Sequence, residues 1–192
     1  MSLRTLSAAT ALILTLTISS TPAFASTSTP PEVPVACTLG GVPLADSDAA
    51  PTEIPTVMSC FDSVQEAERF IKNGAPGDYE RLAPNRELAT AAAASTVTIG
   101  KVWTGRSRTG SVLIHWGTGT GCYGVTYGFP TLTSSWNDSI RSAEGFSNCW
   151  SSQYDGANYS GSVLTCAPYC STLGSMAAKT SSIVYRPVGT FG

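Results

Sequence analysis

The stretch Asn137-Asp138-Ser139-Ile140-Arg141-Ser142 places an amide, a carboxylate and two hydroxyls within six residues. Oxygen donors this close can gather round a hard cation. The same residue types also build an ordinary Asx turn. Arg141 complicates the first reading: a guanidinium opposes a metal ion, yet it can hydrogen-bond the carbonyls that the ion would have met. A second chemical candidate is Cys166-Ala167-Pro168-Tyr169-Cys170, a tiny loop bracketed by cysteines and following the run VLTC. A rigid loop of this kind can enter a protease cleft, because rigidity lowers the ordering cost of binding. It can equally be a staple on a hairpin.

Catalytic groupings are not apparent, so the chain is expected not to be an enzyme. It has no G-x-S-x-G elbow. The single histidine, His115, lies in VLIHWG, which reads as a strand. GTGCYG (119–124) has the form G-x-G-x-x-G, but it contains a cysteine, sits among strand-like runs and opens no helix. Asp138, Glu144 and Asp155 are the carboxylates across the middle of the β-rich region, and nothing pairs them as a glycosidase acid and base.

The N-terminus indicates the compartment. Arg4, the apolar run ALILTLTI and the small-residue site AFA (23–25) read as a secretory signal peptide over residues 1–25. The exported part is expected to be extracellular. Residues 1–25 hold Arg4 and no acid, so ten Lys and Arg face thirteen Asp and Glu in the rest. That balance, with no basic block and no second long apolar run, argues against nucleic acid or membrane as a partner; a monomer is expected, although charge balance does not decide the oligomeric state. All six cysteines follow the signal peptide, which suits three disulfides in an oxidising compartment. Zinc would need more than one histidine or a paired C-x2-C spacing, and neither is present. Cys37 and Cys60 are the two cysteines of the N-terminal half and pair with each other. Cys166 and Cys170 pair by proximity, leaving Cys122 with Cys149.

The elements that hold these residues are legible in part. Residues 26–59, rich in Pro, Ser, Thr and Ala, read as an extended, weakly ordered arm. Residues 60–74 read as a short helix: Ser63 and Glu66 form a capping-box pattern, Val64, Ala67, Phe70 and Ile71 an apolar stripe, and Gly74 a stop. Residues 75–95 read as a linker. From 96 to 188, short β-branched and aromatic runs alternate with Gly, Ser, Asn and Asp, the pattern of an antiparallel all-β sandwich.

The β region repeats itself. YDGANYSGS (154–162) and WTGRSRTGS (103–111) share one skeleton, with Arg108 replacing the second aromatic. Each is followed by a loop, WNDSIRSA and MAAKTSSI, which set Asp138 against Ala178 and Arg141 against Ser181. A hairpin followed by an acidic-serine loop, twice over, resembles the βγ-crystallin repeat across about half the chain. The helix CFDSVQEAERFI is similar to one that precedes such domains in secreted proteins of the Streptomyces-type metalloproteinase-inhibitor family. The resemblance implies a double Greek-key sandwich of two motifs. It implies at most one weak calcium site, formed by Asp138, Ser181 and the Lys179 carbonyl. The second site, needing an acid at Ala178 and a hydroxyl at Arg141, is replaced. It also implies a reactive bond at Cys166–Ala167 and a secreted metalloprotease as partner. A calcium-stabilised structural or cell-surface module and a small antimicrobial toxin are the alternatives that the fold equally accommodates.

Overall fold

The computed structural model describes residues 35–45, 55–82 and 96–191. The chain divides into two units, residues 1–32 and 33–192, and every described residue lies in the second. The expected signal peptide lies outside the described residues, as do 26–34 and 46–54 of the expected arm and 83–95 of the expected linker.

The described elements are, in chain order, β1 (Ala36–Gly41), β2 (Leu44–Ala45), β3 (Val57–Phe61), α1 (Val64–Lys72), α2 (Asp78–Leu82), β4 (Thr96–Trp103), β5 (Val112–Thr118), β6 (Val125–Phe129), β7 (Ser142–Gly145), β8 (Cys149–Tyr154), β9 (Val163–Cys166), β10 (Tyr169–Cys170) and β11 (Ser182–Pro187). They form two sheets, ordered β10-β7-β4-β5-β1-β3 and β2-β6-β11-β8-β9. Strands β4 to β7 make one Greek key and β8 to β11 the other. The third strand of each key crosses to the opposite sheet: β6 pairs with β11, and β10 pairs with β7. The fold is an all-β, βγ-crystallin-like sandwich.

Alternation along the strands builds the core between the sheets. Ile183 and Tyr185 of β11, Tyr127 and Phe129 of β6, and Leu113 of β5 all point into it and are fully buried. A second apolar layer lies on the outer face of the six-stranded sheet. There Ala67 and Ile71 of α1 and Tyr79 and Leu82 of α2 pack with Ile114 and Trp116 of β5. Ser63 opens α1, accepting the Glu66 N–H at 3.2 Å. Covered on both faces, β5 is buried at all seven positions, which explains its continuous apolar run.

The N-terminal half corrects the sequence reading. Within the stretch read as a weakly ordered arm, β1 is buried at all six residues. It runs parallel to β5 and antiparallel to β3, with Cys37 opposite Cys60 and the Cys37–Cys60 disulfide joining them. Gly40 is needed there, since a Cβ would lie 2.2 Å from the Trp116 ring. Proline-rich flanks mask this strand because its partners are remote: the edge of β5 supplies its hydrogen bonds. The expected linker likewise carries α2, whose Asp78, Tyr79 and Leu82 are buried. Asp78 accepts the Ser59 hydroxyl at 2.8 Å and pairs with Arg81. The other disulfides are Cys122–Cys149 and Cys166–Cys170, the same pairs that the sequence suggests.

Candidate functional site

The two motifs repeat each other hydrogen bond by hydrogen bond. In the first hairpin, Thr104 N–H donates to Ser111 O at 3.0 Å and Gly105 N–H to Thr109 O at 2.8 Å. In the second, Asp155 N–H donates to Ser162 O at 3.1 Å and Gly156 N–H to Ser160 O at 3.0 Å. Both hairpins turn through the left-handed region at matching places: Ser107, Arg108 and Gly110 have φ of 53, 63 and 79°, and Asn158, Tyr159 and Gly161 have 54, 59 and 80°. The last of each trio is glycine, which takes that conformation without steric cost. A buried serine then locks each hairpin to its sheet. Ser142 Oγ donates to Gly105 O at 2.7 Å and accepts Arg108 N–H at 3.3 Å. Ser182 Oγ donates to Gly156 O at 2.7 Å and accepts Tyr159 N–H at 3.0 Å.

The loops that follow are exchanged across the motif boundary. Asp138 N–H donates to Thr180 O at 3.1 Å, and Ala178 N–H donates to Ile140 O at 2.7 Å. Asp138 and Ala178 have nearly the same left-handed φ, 56 and 59°. This geometry brings Asp138 to the Thr180–Ser181 step and Ala178 to the Ile140–Arg141 step. The Asp138 carboxylate is exposed and accepts one internal hydrogen bond, from Asn137 Nδ2 at 2.8 Å. Ser181 Oγ donates its proton to Asp155 O at 3.1 Å, so its lone pairs stay available.

At the other position the Arg141 guanidinium takes the oxygens. Its Nη1 donates to Thr104 O at 2.9 Å and to Ser139 O at 2.8 Å. By the duplication, Thr104 corresponds to Asp155 and Ser139 to Lys179. The corresponding carbonyls beside the second loop are therefore those of Asp155, which accepts the Ser181 hydroxyl, and Lys179. The Asp155 carbonyl is an addition that sequence reasoning missed, because a backbone oxygen carries no signal in residue type. The two loops contain one carboxylate, Asp138, and among the described residues no group of three or more His, Cys, Asp or Glu side chains could hold a metal.

The Cys166–Cys170 loop sits on the sheets rather than projecting from them. Cys166 is fully buried and pairs with Ser151 in the five-stranded sheet. Tyr169 and Cys170 form β10 opposite Glu144 and Ala143, and Gly145 N–H donates to Pro168 O at 2.8 Å. Ala167 and Pro168 are exposed at the tip. Arg108 lies over the Tyr169 ring, 3.8 Å from its centroid, and grips Glu144 through two hydrogen bonds of 2.7 Å. The Glu144 bond raises the Arg108 pKa further. Glu144 is thus held by Arg108, and the third carboxylate, Asp155, accepts Ser162 N–H at 2.7 Å. His115 is fully buried against Phe129 and Tyr185, and its Nδ1 meets Tyr185 Oη at 2.9 Å. Burial pushes its pKa down to about 3.

No protein-family model matches the chain, and no curated protein is significantly similar to it. Among solved structures it is similar to the N-terminal domain of protein S, at 15% identity and a TM-score of 0.38. It is also similar to a βγ-crystallin domain from Flavobacterium johnsoniae, at 20% identity and a TM-score of 0.34. Each likeness covers 48% of this chain and 99% of the other.

Proposed function

We propose that the protein is a secreted, non-enzymatic βγ-crystallin-like module, rigidified by three disulfides, with a single weak calcium site at one of its two motif crossings. The observation that supports this is the asymmetry of the crossings. In one, Asp138 N–H meets the Thr180 carbonyl and the Ser181 hydroxyl meets the Asp155 carbonyl, and no cationic side chain among the described residues takes these oxygens; calcium there would use the Asp138 carboxylate, Ser181 and the Lys179 and Asp155 carbonyls. The other has the Arg141 guanidinium on the corresponding carbonyls, Ser139 and Thr104. A bound calcium ion would supply a cross-link between the motifs, and one carboxylate with neutral oxygens suits affinity in the ~10⁻⁴–10⁻³ M range of extracellular modules. Calorimetric titration with calcium, paired with thermal melting, tests the reading. At ten times the dissociation constant the fold should gain about 1.4 kcal/mol, and Asp138→Asn should remove the gain. Absence of heat and of any melting shift at millimolar calcium would sink the site.

Peptidase inhibition is the second reading, and one observation favours it. Ala167 and Pro168 are exposed in a loop fixed at both ends, by Cys166 in β9 and by β10 under Arg108. Such a loop binds with little ordering cost. A secreted metalloprotease is the partner this reading requires. Incubation with thermolysin and related secreted enzymes checks it: inhibition at micromolar protein, with slow cleavage at Cys166–Ala167 seen by mass spectrometry, is expected. Undiminished protease activity would remove it.

A further inference from the structure

Three uncharged segments meet at the Cys122–Cys149 disulfide and leave apolar side chains in solvent. Tyr123 is 65% exposed, Val188 51% and Phe191 70%. Asn148 ties the segments together: its Nδ2 donates to Cys122 O at 3.0 Å, and its carbonyl accepts Val188 N–H at 3.1 Å. Trp150, next to the disulfide, lies against Phe191 with ring centroids 5.1 Å apart. Of the four tryptophans, Trp103, Trp116 and Trp136 are buried and Trp150 is half-buried. Residues 119–124, 146–150 and 188–191 include no Lys, Arg, Asp or Glu. Two cations border them and both are engaged: Arg186, opposite Trp150, donates from Nη2 to Tyr154 Oη at 3.1 Å, and Lys101, 5.3 Å from the centroid of the Phe146 ring, pairs with Glu68.

The chemistry of the patch selects its occupant. Aromatic rings whose neighbouring cations are already paired offer their faces to apolar C–H surfaces and no free counter-ion to an anion. An anionic membrane would call for Lys or Arg beside the rings. A protein partner needs about 800 Å² on each side, whereas these four side chains present on the order of 400 Å². Sugar rings carry the matching surface: an apolar C–H face for stacking and an equatorial rim of hydroxyls that stays wet. We infer that Trp150, Phe191 and Tyr123 form a stacking platform for a neutral polysaccharide, positioned by Asn148 and the Cys122–Cys149 bridge.

The full secreted chain, mixed with insoluble cellulose, chitin and β-1,3-glucan, tests this in a sedimentation assay. Retention on at least one polymer is expected. The hexasaccharide of that polymer should shield Trp150, the one tryptophan of the four that is not buried, from acrylamide quenching. Tyr123→Ala with Phe191→Ala should lower retention by roughly tenfold or more, because two ring contacts are lost. Both residues are exposed, so the melting temperature should hold, which separates lost binding from lost folding. Failure to sediment with all three polymers overturns the inference. So does retention that the double variant leaves unchanged. Patch-dependent binding to phosphatidylcholine–phosphatidylglycerol vesicles, or patch-dependent dimerisation in the ultracentrifuge, without polymer retention, assigns the surface to another partner and also overturns it.

Discussion

In the first motif's crossing loop, Ile140 fills the core and Arg141 reaches out to two carbonyls. In the second, Thr180 and Ser181 stand in those places. The backbone is the same in both, to the point that Asp138 and Ala178 share a left-handed φ and Ser142 and Ser182 make the same pair of hydrogen bonds. The difference teaches that the frame does not depend on what occupies the crossing. Buried serines, hairpin turns and exchanged loop hydrogen bonds hold it. The side chains laid on it decide whether a crossing carries its own fixed cation or an open set of oxygens. The core departs from the duplication as well. His115 stands where the second hairpin has Cys166, and Tyr185 where the first motif has Gly145. The two join in a buried pair that crosses between sheets.

That buried pair gives the largest expected effect. The folded pKa of His115 lies near 3, well below the ordinary value of 6.5. The neutral imidazole is therefore the folded form, and its contribution is fully present above pH 6.5. It is lost as pH falls towards 3, because the unfolded chain binds the proton first. Stability should drop by about 1.4 kcal/mol per pH unit across that window, read from urea midpoints at a series of pH values. His115→Phe should flatten the slope, at a cost near neutrality from stranding Tyr185 Oη.

The serine locks come next. Ser142→Ala and Ser182→Ala each strand a hairpin carbonyl and an amide, and each should cost about 1–3 kcal/mol in denaturant unfolding. Equal losses would sharpen the duplication, and losses differing by more than a factor of two would break it. Thr180 tests the core slot. It is fully buried and its Oγ1 has no partner, whereas Ile140 fills the corresponding place with carbon. Thr180→Val should stabilise by about 1 kcal/mol by removing a hydroxyl stripped of water. The smallest stability change belongs to Arg141, an exposed side chain. Arg141→Ser should cost a few tenths to about 1 kcal/mol. Combined with Ala178→Asp it should give the first crossing the oxygens of the second, and calorimetry should then read one additional calcium per molecule.

Much of the architecture was legible in residue types. The alternating runs after Thr96, the turn glycines Gly110 and Gly161, and the echo between WTGRSRTGS and YDGANYSGS are local signals, and they suffice for an all-β duplicated sandwich. The α1 helix was equally legible, since Ser63 and the Ala67–Ile71 stripe lie within one short window. That the two loops cross was decided by the fold, but their register, Asp138 against Ala178 and Arg141 against Ser181, was legible. The Asp155 carbonyl was not, because main-chain oxygens leave no trace in composition.

The strand at Ala36–Gly41 and the aromatic patch at Asn148 mark the boundary between the two kinds of information. Repeats, turns, caps and cysteine neighbours are set by residues a few positions apart, so the sequence by itself determined them. Tertiary structure alone decided that ACTLGG lies parallel to β5 under two helices, and that Trp150 and Phe191 meet beside the Cys122–Cys149 bridge. It alone decided that the Cys166–Cys170 loop is seated on a sheet edge. Each of these depends on hydrogen bonds and burial between residues tens of positions apart. Pairing free energy of that kind exists only after the chain has closed on itself, which is why no local pattern announces it.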